Sequence, residues 1–434
     1  MFRKLILLLA APVVVGAQQM TDTTFHPITI TDAVRLAREN NVANITAANT
    51  VRSANYSVRS ARAAMFPTLN ATASQTKTAG DQLGQNGTIV PFTSAWRYNT
   101  GLNSGVTLFD AGKMFADIRN QQANVAAAQA AEVNTEFSVG LNVKLAYNSI
   151  LAAKESEAAA RAQLEAAQAQ LQTSIAKVQA GAANVSDSLR SVVQVGNAQL
   201  ALLTAQNNYR VQSAALTRLV GTAYFVTADL ADTVDHPVAP IDSAAIMAMA
   251  LAGPPIHQLE AQATAASAAQ RSAKAAYLPT ITANFNYAGN GTSAVYGLNS
   301  NPFPYSRSIG INLNYPIFNR FARENQIAAA QINYENAQAS IKDARLGAQQ
   351  NIITDIATMR NNEEAMRVQQ QNVRASEEDL RVQQQRYNLG ASTLLDVLNS
   401  QTALVTARQA LIQARLNYRN ARAQIEAVIG KDLP

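Results

Sequence analysis

A single sequence offset constrains what this chain can fold into. Moving back 209 positions pairs Gly390 with Gly181, Asp396 with Asp187, Leu404 with Val195, Leu411 with Leu202, Tyr418 with Tyr209 and Gly430 with Gly221. An unbroken offset over that span marks an internal duplication, and a duplicated long element is the unit from which the fold has to be built. In the later copy, large apolar residues recur every seven places at Val397, Leu404, Leu411, Tyr418 and Ile425. Ser400, Ala407, Ala414, Ala421 and Val428 follow each by three. That is a heptad seam, and its small second row lets a neighbouring helix approach closely.

No proline occurs between Pro91 and Pro237, so a helix can run from about Lys113 to Gln179. At 1.5 Å per residue it is roughly 100 Å long, a coiled-coil rather than a globular length. Gly181 to Ser186 is then a turn, and Asp187 to Val220 returns alongside. Gly140 and Gly196 inside these helices cost about 1 kcal/mol each unless close packing recovers it.

Before each long helix the pattern changes. A helical stretch from Thr31 to Ala64, capped by Thr31 or Asp32, stops at Phe66-Pro67; a matching one from about Ser243 to Ala276, interrupted at Pro254-Pro255, stops at Leu278-Pro279. Proline removes a helix donor and extends its predecessor, so each junction turns helix into strand. Trp96, Tyr98, Leu102, Val106 and Leu108 then share one parity, as do Ile281, Ala283, Phe285 and Tyr287, and Ile309, Ile311, Leu313, Tyr315 and Ile317. Thr, Asn, Ser and Gly fill most of the other parity. Strands of about 9 to 11 residues with one apolar and one small polar face fit a water-filled membrane barrel; the soluble alternative is a sheet lying on a core. A polar loop, about Lys77 to Thr93, joins the first pair. Four strands cannot close a barrel, for which about eight is the smallest number, so copies of the chain must share one.

The organisation is therefore mainly α with β: residues 1–17 as a secretory leader, a first repeat at 18–221, a link at 222–242 and a second repeat at 243–434. The strand hairpins fall at about 67–109 and 279–318, and the long helices at about 113–220 and 320–430. The leader follows from Arg3 and Lys4, the apolar run Leu5 to Val15 and small residues to Ala17. Without it, 33 basic residues face 29 acidic ones, an excess too mild and too spread for nucleic acid. There is no cysteine, so packing or assembly has to hold an exported chain, and the usual lipoprotein anchor is excluded.

In order, spacing and duplication these pieces resemble the outer-membrane efflux family, the channel-tunnels of the TolC type. The resemblance rests on Phe66-Pro67 and Leu278-Pro279, on Leu108-Phe109-Asp110-Ala111-Gly112 with Ile317-Phe318-Asn319, and on Arg386-Tyr387-Asn388-Leu389-Gly390 followed by Leu394-Leu395-Asp396-Val397-Leu398. It implies a homotrimer with a 12-strand barrel in outer-membrane lipid and a helical barrel crossing the periplasm. Such a duct docks on a periplasmic adaptor serving an inner-membrane pump. It further implies that Lys177, Gly181, Arg386 and Gly390 lie at the adaptor-contact tips. Asp187 and Tyr387 are expected to bond across the coiled coils and close the mouth, and Asp396 to place a carboxylate ring in the lumen. Ser392 stands where such proteins can carry a locking arginine, and Asn399 where a second lumen carboxylate can occur.

Other roles for these residues stand beside those. Asp187 and Asp396 could cap the helices after the turns, and Tyr387 could be seam packing. Glu377-Glu378-Asp379 is a solvated face or a cation site. His26, His236 and His257 are scattered without zinc spacing, and Gly112-Lys113 has the wrong spacing for a phosphate loop. No catalytic constellation or cofactor motif emerges. The expected function is a passive exit duct for small molecules. The alternatives are a duct for type I protein secretion and a periplasmic coiled-coil scaffold.

Overall fold

The computed structural model describes residues 24–83, 85–229, 242–293 and 304–433; the leader, His236 and most of the 222–242 link lie outside them. In chain order the elements are β1 (His26–Ile28), α1 (Ile30–Asn40), α2 (Val42–Ala63), β2 (Thr68–Thr76), β3 (Ala79–Leu83), β4 (Ile89–Thr93), β5 (Trp96–Phe109), α3 (Lys113–Gln179), α4 (Val185–Val220), β6 (Val226–Ala228), α5 (Ser243–Leu251), α6 (Pro254–Lys274), β7 (Thr280–Ser293), β8 (Tyr305–Asn314), α7 (Ala322–Asn388) and α8 (Leu394–Ile429). Contacts divide the chain into two compact units, one drawn from Met1–Ile45, Thr135–Ala250 and Gln350–Pro434, the other from Thr46–Asn134 and Leu251–Gln349. Among the described residues no helix is long and apolar enough to cross a membrane.

The first unit has two main apolar clusters. In one, Ala33 and Ala37 of α1 meet Val143, Tyr147, Ile150 and Leu151 of α3, Leu216 and Val220 of α4, and Val226 of β6. Strand β6 pairs in parallel with β1, which makes the start of the expected irregular link a strand. Tyr147 closes this pair, its hydroxyl donating to the Ile28 carbonyl (3.0 Å) and accepting from the Asp229 amide (3.0 Å). In the other cluster Ile246 of α5 packs with Ile352, Ile356 and Met359 of α7 and with Tyr418, Ala421 and Ile425 of α8. The α8 seam is buried at Val397, Ser400, Leu404, Ala414, Tyr418, Ala421 and Ile425, but at its middle Ile412 is buried in place of Leu411.

The expected helix over Thr31–Ala64 is two helices. Thr29, not Thr31 or Asp32, caps α1 by accepting from the Asp32 amide at 3.2 Å. Asn41 is extended and breaks the run, its side chain donating to the Leu219 carbonyl (2.7 Å) and accepting from the Ala43 amide (2.9 Å). Beside it Gly221 ends α4 at φ 74°, where a Cβ would lie 2.9 Å from the Asn40 carbonyl oxygen.

The second unit holds a four-stranded antiparallel sheet in the order β2-β5-β7-β8. Its register puts Leu69, Ser104, Phe285 and Ile309 opposite one another, and Ala71, Leu102, Tyr287 and Arg307 in the next row but one. Because side chains alternate, Leu69, Leu102, Val106, Ile281, Phe285, Tyr287, Ile309, Ile311 and Leu313 share one face. The opposite face carries Thr68, Asn70, Thr72, Ser74, Asn99, Asn103, Thr282, Asn284, Asn286, Ser308 and Asn312. There Asn312 donates to Asn284 across the strands at 2.8 Å, and Gly310 gives that pair room. On the apolar face Tyr305 stacks on Tyr287, with ring centroids 5.0 Å apart, and covers Gly289.

Two expectations change in this unit. The polar loop contains a hairpin of its own, β3 with β4, whose Ile89-Val90 and Phe92-Thr93 favour strand. Strand β8 ends at Asn314, so Tyr315 and Ile317 lie beyond it, where Pro316 cannot donate to a ladder. The strand-to-helix junction is tight: Asp110 accepts from the Gly112 amide (3.1 Å) and the Met114 amide (2.6 Å), while Ala111 and Gly112 both take positive φ. Arg320 and Phe321 do the same before α7. Without glycine each such residue costs about 1 to 2 kcal/mol.

The carboxylate of Glu426, buried in the first unit, accepts from Lys144 (2.7 Å), Arg422 (3.0 Å) and the Leu433 amide (3.1 Å); Lys144 also reaches Asp432 at 2.5 Å. Burial opposes charge on Lys144, but its bonds to Asp432 and Glu426 outweigh this and raise its pKa; the bond from Lys144 lowers that of Asp432. The raised lysine stabilises fully below its unfolded value near 10.4 and loses that on alkalinisation, whereas the lowered aspartate loses its contribution on acidification below about 3.9. Lys144→Met leaves Glu426 short of a cation and is expected to cost about 3 kcal/mol in denaturant unfolding of the purified protein at pH 7. An unchanged midpoint would show that the cluster holds nothing together.

Candidate functional site

The candidate residues lie on the two turns that join α3 to α4 and α7 to α8, both in the first unit. The turns are built alike. At the first, the Gly181 amide donates to the Val178 carbonyl (3.0 Å) and the Ala182 amide to that of Lys177 (2.8 Å); at the second, the Gly390 amide donates to the Tyr387 carbonyl (3.1 Å) and the Ala391 amide to that of Arg386 (2.8 Å). Gly181 and Gly390 have φ of 71° and 77°, with nothing within 4 Å of where a Cβ would stand. Glycine is needed within the chain for its left-handed conformation, not for space.

The two aspartates differ. Asn184 caps α4, its side chain accepting from the Ser186 amide at 3.2 Å, and half-buried Asp187 is only in the first turn. Asp396 closes a capping box with Thr393: its carboxylate accepts from the Thr393 amide (2.9 Å) and hydroxyl (2.7 Å), and Thr393 Oγ1 accepts from the Asp396 amide (3.3 Å). Ser392 donates to the same carboxylate at 3.1 Å. These bonds, the Thr393 hydroxyl's first, hold the Asp396 carboxyl below its ordinary value.

Tyr387 is 5 % exposed and packs against Leu394 and Val397, which makes it a seam residue. Its hydroxyl is buried without a hydrogen-bond partner, so within one chain it does not bond to Asp187. Lys177 comes to it instead, with Nζ 3.8 Å from the ring centroid and donating to the Tyr387 main-chain carbonyl. The family resemblance singles out both residues but gives no sign of this contact between positions 210 apart. The acidic run is already paired: Glu377 with Arg408 (2.7 Å), Glu378 with Arg381 (2.5 Å) and Asp379 with Ser400 (2.5 Å). His26 meets the Tyr224 ring edge-on and His257 lies 3.5 Å from Glu260. Among the described residues no group of three or more His, Cys, Asp or Glu could hold a metal.

Against known families, the profile described as Outer membrane efflux protein matches residues 33–222 and 249–431. The chain belongs to the outer membrane efflux protein family. It is accordingly an outer-membrane protein, and its family is one of efflux ducts, not enzymes. It is similar to the outer membrane protein TolC of Salmonella enteritidis, 24 % identical over 37 % of this chain and 34 % of that one. It is also similar to the pyoverdine export outer membrane protein OpmQ of Pseudomonas aeruginosa, 28 % identical over 41 % of this chain and 35 % of that one. These matches span about a third of the length of the curated relatives. Solved structures cover far more: the CmeC outer membrane channel of Campylobacter jejuni has a TM-score of 0.74 at 18 % identity, over 93 % of this chain and 86 % of that one. The open-state MtrE outer membrane channel of Neisseria gonorrhoeae has 0.72 at 19 %, over 93 % and 89 %. Both show the same mainly helical fold with a small share of strand.

The capping box gives this family member a pH-dependent turn. The stabilisation by Asp396 is present above the unfolded aspartate value of about 3.9 and lost as pH falls through its lower folded value. Amide exchange at the start of α8, corrected for its intrinsic pH dependence, should quicken below that point, and in Asp396→Ala at pH 7. Equal protection in Asp396→Ala and the parent would show the box to be idle.

Proposed function

We infer that this chain is the outer-membrane exit duct of a tripartite efflux system. It passively conducts small molecules delivered by an inner-membrane pump through a periplasmic adaptor. The observation that carries this is the sheet. Its apolar face is open, with Leu69 73 %, Ile309 81 %, Ile311 70 % and Leu313 68 % exposed, and its other face is almost wholly Thr, Asn, Ser and Gly. Lipid suits the first face and a wet lumen the second.

Strands β2 and β8 are the outer strands of the sheet, and lipid offers their unpaired amides and carbonyls nothing. Copies of the chain therefore complete one barrel. Two copies give eight strands, an interior that side chains fill; three give twelve and leave a passage. A second surface supports assembly: Leu189, Val193, Leu200 and Leu203 form an exposed apolar stripe on α4. In this arrangement the turns bearing Asp187, Tyr387 and Asp396 form the mouth, and exposed Arg386, Gly181 and Gly390 face the adaptor. The chain is a duplicated unit, 18–221 and 243–434, consistent with 67-residue α3 and α7 and 36-residue α4 and α8.

Purified full-length protein should have the native mass of three chains and conduct ions across a planar bilayer. Leu200→Glu with Leu203→Glu is expected to shift the native mass toward one chain and abolish conductance. A soluble monomer without conductance from the unmodified chain would contradict the duct.

A further inference from the structure

Lys177 and Arg386 occupy the same place in the two turns, four residues before the left-handed glycines Gly181 and Gly390, yet the fold uses them differently. Arg386 is exposed and reaches only its own turn, with Nη2 3.4 Å from the Ala391 carbonyl. Lys177 is half-buried and crosses to the other hairpin, where its ammonium covers the Tyr387 ring and donates to that residue's carbonyl. The carbonyl belongs to the last turn of α7, where backbone oxygens lack helical partners and partial negative charge collects. Lys177 is itself in the last turn of α3, so one ammonium serves two helix C-termini and one aromatic face.

We propose that Lys177 is a positioning residue that ties the α3–α4 turn to the α7–α8 turn and holds the mouth of the duct in its resting arrangement; this rests on the duct reading above. Its target is the ring and main chain of Tyr387. The Tyr387 hydroxyl, buried and unpartnered, has no share in the tie. Drawing the turns apart uncovers the ring face and strips the α7 carbonyl of its donor, so the tie opposes opening. Of the four tip residues, Lys177 is thereby turned inward and Arg386 left outward.

The test is single-channel recording in planar bilayers on the purified full chain beside Lys177→Met, Lys177→Arg and Tyr387→Phe, with native mass measured for each. Lys177→Met is expected to raise the ratio of open to closed time at least roughly fivefold, as loss of a partly desolvated cation contact does. Lys177→Arg and Tyr387→Phe should stay within the parent's range. Lys177→Gln carries the same expectation as Lys177→Met should the latter fail to assemble. An uncharged variant that gates like the parent overturns the tie, and so does a Tyr387→Phe that opens as far as Lys177→Met. A trimeric parent that never conducts would remove the duct itself, and the tie with it.

Discussion

Backbone amides and carbonyls at the edge of a sheet need partners, and hydrocarbon supplies none. This constraint governs the chain. Among the described residues β2 and β8 lie at the edges of the one sheet whose two faces differ so sharply, one apolar and one of Asn, Thr, Ser and Gly, and in the proposed duct a single copy is therefore incomplete. In the proposed shared barrel the edges are satisfied and Ile309, Ile311 and Leu313 meet lipid instead of water. The exposed stripe on α4 extends the same logic to the helices. Stability of the fold and number of chains are in this account one question.

Where the chain changes from strand to long helix it stores strain. Ala111, Arg320 and Phe321 adopt a left-handed backbone that their side chains disfavour; at the first junction the Asp110 side chain caps the helix, and at the second the Asn319 main-chain carbonyl accepts from the Ala322 amide. The turns at the opposite ends of the long helices use glycine at Gly181 and Gly390 and avoid that cost. Their individuality lies in side chains: Asp396 is spent on a capping box, Asp187 is left partly exposed, and Tyr387 is held through its face by Lys177.

Much of this was legible in the sequence, and the parts that were not share a cause. Period-seven apolar residues marked α8, the 209-residue offset carried that pattern to α4, a proline-free run marked α3, and period-two alternation marked β5, β7 and β8, because these signals are local and long. The break at Asn41 was missed, since its reason is a hydrogen bond to Leu219 far along the chain. The β1–β6 pair was missed likewise, being two three-residue strands too short to show a period. At the turns, the family resemblance singled out Lys177, Asp187, Tyr387 and Asp396 but not the partners they have within the chain. Capping by Asp396 was one of two readable roles, and Thr393 three residues before it was the signal. The contact of Lys177 with Tyr387 had none.

The most direct test of the shared barrel uses the absence of cysteine from the chain. Single cysteines introduced on β2, at Asn70, Thr72 or Ser74, are combined in turn with ones on β8, at Ser308, Gly310 or Asn312, and the outer-membrane fraction is oxidised. The account predicts that pairs brought opposite one another across neighbouring chains give a covalent ladder ending at three chains on a non-reducing gel. Monomer alone from every combination, with the protein folded in the membrane, would contradict it.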